Sequence, residues 1–452
     1  MHRYLISRRS ALALALLVAF TFPVAADSTL TRPVSNAGPV FGITTGPGEV
    51  ILADAGQGIV RLRHLKTELV AALPGVTDVD VINPNLMYAT TGGGPDPTSA
   101  KLWRIEKGKA SVWADLGAFE ATVNPDGAEI NPNPFDVQAL SGGRALVADA
   151  GANALLIVDA NGAIDWLVTL PNELVSTANI KSLFHCPAGP PNFCNLPPMI
   201  PAQPVTPSVA IGPDGAYYIG ELKGFPAPTG ESRVWRIDPS LRHVHCTNPP
   251  AVTPGCTVVA DGFTSIIDVA FDRSGTMYVT ELDEASWFSV EVTHTPIGGT
   301  VNACTLNAGN WICAPFEQNL ATPTGVASDA TGRVYVNNHS LEPGAVVRHL
   351  AILNLQIQLN DLGDAQVAQG FGGPLHGGRR RLFPRLGARA DQLDDFVNAL
   401  SHVGLLGWPP ARGASERSTT AATAATRTVI VMSPPAYLSR RRRQSQIFGK
   451  PT

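Results

Sequence analysis

Short apolar runs alternate with turn residues along the chain, and one such unit recurs. Over 208–221 it reads as an apolar strand, a Pro213-Asp214-Gly215 turn and a second strand of alternating β-formers that closes on Glu221. The same ungapped frame fits 78–91, 136–149, 268–281 and 325–338, and fits 41–54 less cleanly. A third strand is visible after several units, at 59–62, 101–105, 155–158 and 233–237, and a fourth at 165–168 and 257–260. Units that recur at such a period indicate a repeat architecture.

Three or four antiparallel strands per unit, repeated six times, predict an all-β fold, a six-bladed β-propeller over 27–361. The units are mostly spaced more widely than the roughly 40–50 residues of a typical blade, so insertions are expected between strands. Residues 27–38 form a polar lead-in that could supply a ring-closing strand. A doubly wound α/β fold is disfavoured, because no helix-length periodic segment separates the strands.

Composition refines this picture at the two ends. Arg3, Arg8 and Arg9, the apolar run 11–22 and Val24-Ala25-Ala26 predict a cleaved export signal over 1–26, with a twin-arginine character around Arg8-Arg9. The protein is therefore expected to be secreted or periplasmic. No stretch is long and apolar enough for a stable membrane span. Between 27 and 361 there are 17 Lys/Arg against 32 Asp/Glu, which argues against a nucleic-acid partner. Residues 362–452 reverse the balance, 13 against 5, and predict a basic tail of low order with one short helix at 391–406.

Six cysteines fall in three close pairs, Cys186 with Cys194, Cys246 with Cys256, and Cys304 with Cys313. Fifteen pairings are open to six cysteines. Export favours disulfides, and the short loops favour local closure. Zinc is disfavoured, since C-x-x-C and His-x-x-x-His spacings are missing.

In a propeller the first strand of each unit lines the central channel. The opening position then gathers Asp78, Asp136, Ser208 and Asp268, with Phe41 and Gly325 interrupting the ring. The closing position gathers Asp54, Thr91, Asp149, Glu221, Glu281 and Asn338. Crowded carboxylates must protonate or find a cation, and oxygen ligands suit Ca²⁺. Asp78, Asp136, Asp268, Glu221, Glu281 and Asn338 are the candidate channel ligands, and Glu221, Glu281 and Asn338 the candidate metal ligands. For Asp54 and Asp149, each followed by Ala-Gly, a turn-fixing role that accepts backbone N–H groups is favoured. Trp103, Trp166 and Trp235 read as blade packing, and His294 and His339 as isolated histidines.

The segments 146–153 and 325–327 resemble NHL-type propeller repeats. Asn133-Pro134-Phe135-Asp136-Val137, 206–215, Gly220-Glu221-Leu222-Lys223-Gly224-Phe225-Pro226 and 262–271 together resemble the ScyD/ScyE family of exported bacterial propellers. The resemblance covers about residues 38–350, best over 131–285, and implies no particular chemistry, because that family has no agreed activity. Two functions follow as expectations. One is a monomeric binding or scaffolding module for a small molecule or protein. The other is a calcium-dependent lactonase or esterase with an acidic channel site. A quinone-dependent sugar dehydrogenase lacks a recognisable Arg/His set to hold its cofactor.

Overall fold

The inner strands Val40–Gly46, Val76–Asn83, Pro134–Leu140, Ser208–Ile211, Ile266–Phe271 and Val326–Ser328 each begin a separate antiparallel sheet. Each continues outward through a second, third and fourth strand, so six sheets stand as blades around one axis. The chain is a six-bladed β-propeller. The computed structural model describes residues 24–353 apart from 36–37, 64–65, 93–96, 188–190, 250 and 343–344. The expected tail 362–452, its helix at 391–406 and most of the export signal lie outside the described residues.

The ring closes through the N-terminal lead-in, as the sequence suggested. Val24–Ser35 forms the outer strand of the sixth blade, antiparallel to Ala345–Leu353. That strand starts at Val24, paired with Leu353, and so includes the Val24-Ala25-Ala26 stretch ahead of the expected cleavage point.

Both faces of every blade are covered, which explains why the second strands read as continuous apolar runs. In Glu49–Asp54, successive side chains leave opposite faces. Ile51 and Ala53 pack with Val79 and Met87 of the second blade, whereas Val50 and Leu52 pack with Ala327 and Val347 of the sixth. An apolar cluster of this kind fills all six blade-to-blade interfaces. Trp235 is buried between the third and fourth blades, and Trp103 and Trp166 pack partly buried in the same kind of interface.

The repeat frame needs one correction. Asp78 stands opposite Thr90, Asp136 opposite Ala148 and Asp268 opposite Thr280. In the first blade Ile43 stands opposite Leu52, so Gly42 rather than Phe41 takes the ring position. From ring position to closing residue the first hairpin is one residue shorter than the second, whose first strand carries a bulge between Val81 and Asn83, so an ungapped frame anchored on Asp54 slips by one residue. Gly42 fits for a steric reason, because a Cβ there would fall 1.8 Å from Asp78 Oδ1.

A bulge just before the ring position recurs in the first, second, third and fifth blades. It re-aims the preceding side chain toward the mouth of the channel. Long connections gather at that mouth, where second strands end and first strands begin. They include the helices Leu116–Val123, Ala178–Leu183 and Trp287–Glu291 and the hairpin Glu173–Ser176 with Met199–Ala202.

Three local disulfides form: Cys186–Cys194, Cys246–Cys256 and Cys304–Cys313. The first lies in a connection at the insertion-rich mouth. The other two lie between the third and fourth strands of their blades, at the opposite end, so the cysteine loops do not share a face. Among the described residues no helix is long and apolar enough to cross a membrane.

Candidate functional site

The first strand of each blade is a sheet edge, and its outward N–H groups have no ladder partner. The ring aspartates supply one. Asp78 Oδ2 accepts from Val137 N of the third blade at 3.0 Å, and Asp136 Oδ2 accepts from Val209 N of the fourth at 2.6 Å. Asp268 Oδ2 accepts from Val326 N of the sixth at 2.6 Å. Each bond joins a blade to the next around the axis. Asp80, two residues after Asp78 and on the same side of its strand, repeats the device one layer deeper. Its Oδ2 accepts from Ala139 N at 2.8 Å and Gln138 Nε2 at 2.7 Å.

Burial is the main cause that pushes these carboxyls above their ordinary range. Asp78 rises well above it through desolvation and the adjacent Asp136, with which it is hydrogen-bonded. Asp136 and Asp268 are also raised by burial, and Asp136 adds repulsion at Asp268.

The mouth above this ring is apolar. Phe41 and Phe135, from blades that are not neighbours, meet edge to face with centroids 5.5 Å apart. Ile267, Leu222 and Leu282 join them, under Ile180, Trp287 and Phe288 from the insertions. Trp287 Nε1 donates to Lys223 O at 2.9 Å, and Asn179 Nδ2 donates to Ala227 O at 2.7 Å and to Ser286 Oγ at 3.0 Å. These bonds tie separate insertions into one cover.

At the closing position Asp54, Asp149 and Thr91 each have a local task. Asp54 accepts from Gly56 N at 2.9 Å and from Gln57 Nε2 at 2.7 Å. Asp149 accepts from Asn133 N, Gly151 N and Ala152 N through Oδ1. Both contacts have the turn-fixing form expected of an Asp before Ala-Gly. Thr91 donates to Ser99 O.

Glu221 is fully buried, raised by desolvation and opposed by the charge of Lys223, whose Nζ lies 2.8 Å away. Lys223 is itself fully buried and reaches Glu173 at 2.5 Å, and Arg233 also contacts Glu173. Glu281 accepts from Thr264 N and from Asn302 Nδ2 at 2.6 Å, and burial lifts it to about 7. Asn338 is buried, with its Oδ1 unpartnered.

Glu221, Glu281 and Asn338 therefore do not present three free oxygen ligands to a cation. Lys223 offsets the charge of the first at Oε2, leaving its Oε1 without a donor, and protein donors engage the second. Among the described residues no group of three or more His, Cys, Asp or Glu could hold a metal ion. His294 and His339 are exposed.

No family model and no curated protein matches the chain. Solved structures do. The chain is similar to an oxidoreductase, a glucose dehydrogenase, of Thermus thermophilus, at 14% identity over 72% of this chain and 99% of that one, with a TM-score of 0.46. It is similar to the calcium-binding protein regucalcin of Agrobacterium tumefaciens, at 15% identity over 72% and 92%, with a TM-score of 0.43. It is similar to streptogramin B lyase, at 12% identity over 72% and 97%, with a TM-score of 0.40.

Sequence reasoning found the ring aspartates through their common place in the repeat. It missed Lys223, Glu173 and Asp80. Asp80 carries a usable signal, since it follows Asp78 by two and must share its face. Glu173 has none, because its partners come from another blade.

Proposed function

We propose that this chain is an exported propeller of the ScyD/ScyE type that acts as a binding or scaffolding module rather than as a hydrolase. The observation that carries this reading is the engagement of the ring aspartates, with Glu221 held against a buried ammonium. Asp78, Asp136 and Asp268 accept backbone N–H groups from neighbouring blades, and Glu221 faces Lys223. A hydrolytic centre needs an oxygen or nitrogen free to take a proton from water or to hold a metal against the substrate.

The ligand, a small molecule or a protein, would meet the insertion-rich mouth, where the connections differ most from blade to blade. Leu174 and Ile297, each 66% exposed, stand on those insertions. Three disulfides support an oxidising compartment, in keeping with export through the predicted signal.

The test is a lactone and ester panel assayed with calcium supplied, comparing the wild-type protein with Glu221→Gln. No turnover by either is expected. Turnover by the wild type that disappears in Glu221→Gln would overturn the proposal in favour of a calcium-dependent lactonase or esterase.

A further inference from the structure

Asp149 and Asp54 occupy equivalent positions but end differently. Both oxygens of Asp54 are engaged, the second by the Gln57 amide. At Asp149 the residue three positions on is Ala152, which offers no side-chain donor. Asp149 Oδ2 is therefore left without a partner, in a residue with no exposed surface.

Glu120, on the helix Leu116–Val123, is near enough for Asp149 to repel its charge. This side chain is 2% exposed, and its Oε1 is also unpartnered. The two carboxylates meet one short strap of chain: the Asn131 backbone N–H favours the charged form of Glu120, and Asp149 Oδ1 accepts from Asn133 N at 2.7 Å. Asn133 Oδ1 is a third buried oxygen with no donor. Asn124 Oδ1, one helical turn beyond Glu120, is a fourth.

Burial lifts Glu120 to about 8, with Asp149 and Asp126 adding repulsion. Asp126 itself is turned to other partners, Ala128 N at 2.8 Å and Asn153 Nδ2 at 2.7 Å. Every orphaned atom here is an oxygen acceptor.

We propose that Glu120, Asp149 and Asn133, with Asn124 beside them, form a binding site for a hard divalent cation, best matched by Ca²⁺. Two adjacent buried carboxylates cannot both ionise without a compensating charge. Ca²⁺ takes 6–8 oxygens from carboxylates, amide carbonyls, backbone carbonyls and water, and tolerates irregular geometry. Mg²⁺ demands a stricter octahedron and gives up its water reluctantly. Amide oxygens supply much of the donor set, which is how two carboxylates suffice. The stretch 127–130, between Asn124 and the strap in sequence, is exposed. Bound there, the ion would fasten the helix, the strap 131–133 and the third blade together. It is separate from the channel and independent of the proposed binding role.

The experiment uses the full chain, stripped with a chelator and then titrated with CaCl2, read by melting temperature and by heat of binding. At a hundredfold excess over Kd the melting temperature should rise by about 5 °C. Glu120→Gln should abolish the rise, Glu221→Gln should keep it, and Mg²⁺ should give less. Wild-type protein with neither a shift nor a heat of binding would overturn the site. So would a calcium shift that survives in Glu120→Gln and vanishes in Glu221→Gln, which places the ion on the axis. If Glu120→Gln raises the melting temperature at neutral pH and calcium does nothing to either form, the occupant is a proton and the site is refuted. Should Glu120→Gln fail to fold, Asn133→Ala replaces it, with calcium affinity expected to fall at least tenfold; unchanged affinity would be equally fatal.

Discussion

Asp136 Oδ2 accepts the backbone N–H of Val209 at 2.6 Å, which links the third and fourth blades at their inner edges. The same carboxyl is hydrogen-bonded to Asp78, so one side chain both satisfies an open sheet edge and meets a second buried acid.

The two roles can be separated. Asp136→Asn keeps an acceptor for Val209 N and removes the repulsion, so stability at pH 8 should be unchanged or higher. Asp136→Ala leaves that N–H unmet and should cost about 1–3 kcal/mol. Urea unfolding of the two variants would decide it, and equal losses would count against the role of Asp136 as an edge acceptor.

Stability should fall as pH rises from about 4 to about 8 in calcium-free buffer. Asp78, Asp136 and Asp268 are raised, with Asp149 near 6, Glu281 near 7 and Glu120 near 8. A carboxyl raised on folding makes the native state bind more protons than the unfolded chain between its two pKa values, so the slope is negative there. Melting at pH 5 should exceed melting at pH 8, and Asp78→Asn should flatten the difference.

The buried Glu173–Lys223–Glu221 chain makes a graded expectation. Glu221→Gln leaves Lys223 with Glu173 and should cost about 1–3 kcal/mol. Lys223→Met leaves two buried carboxylates without their ammonium and should cost about 3–5 kcal/mol. Denaturant midpoints in that order would agree with the geometry.

Gly42→Ala drives a methyl into Asp78, so a loss of about 1–3 kcal/mol is expected. Asp78→Gly on top of it removes the carboxyl part of the collision and leaves the Asp78 Cα 2.8 Å from the new methyl, so the double-mutant cycle should show a favourable coupling with only partial recovery. Additive losses would mean that the methyl meets the Asp78 backbone rather than its carboxyl.

Mild reductant should open Cys186–Cys194 first. Both of its cysteines are partly exposed, whereas Cys246 and Cys256 are buried and Cys304 is fully so. Alkylation followed by mass spectrometry would read the order.

What the chain alone determined is local. A strand, a tight turn and a second strand are encoded within fourteen residues, as in 208–221, because period-two alternation and turn chemistry act between near neighbours. Recurrence of that hairpin sufficed for the propeller, and the short cysteine loops sufficed to favour the three disulfides that form. The frame slipped at Phe41 because a one-residue difference in hairpin length, from turn or bulge, is invisible to an ungapped comparison. Partners across blades were decided only by the tertiary structure. Val209 lies 73 residues from Asp136, and Glu173 lies 50 from Lys223. Nothing in composition marks such pairs, since ring closure brings them together and desolvation then sets which charges must be met. The same holds for Glu120 and Asp149, whose free oxygens exist only because the helix and the third blade fold against one strap.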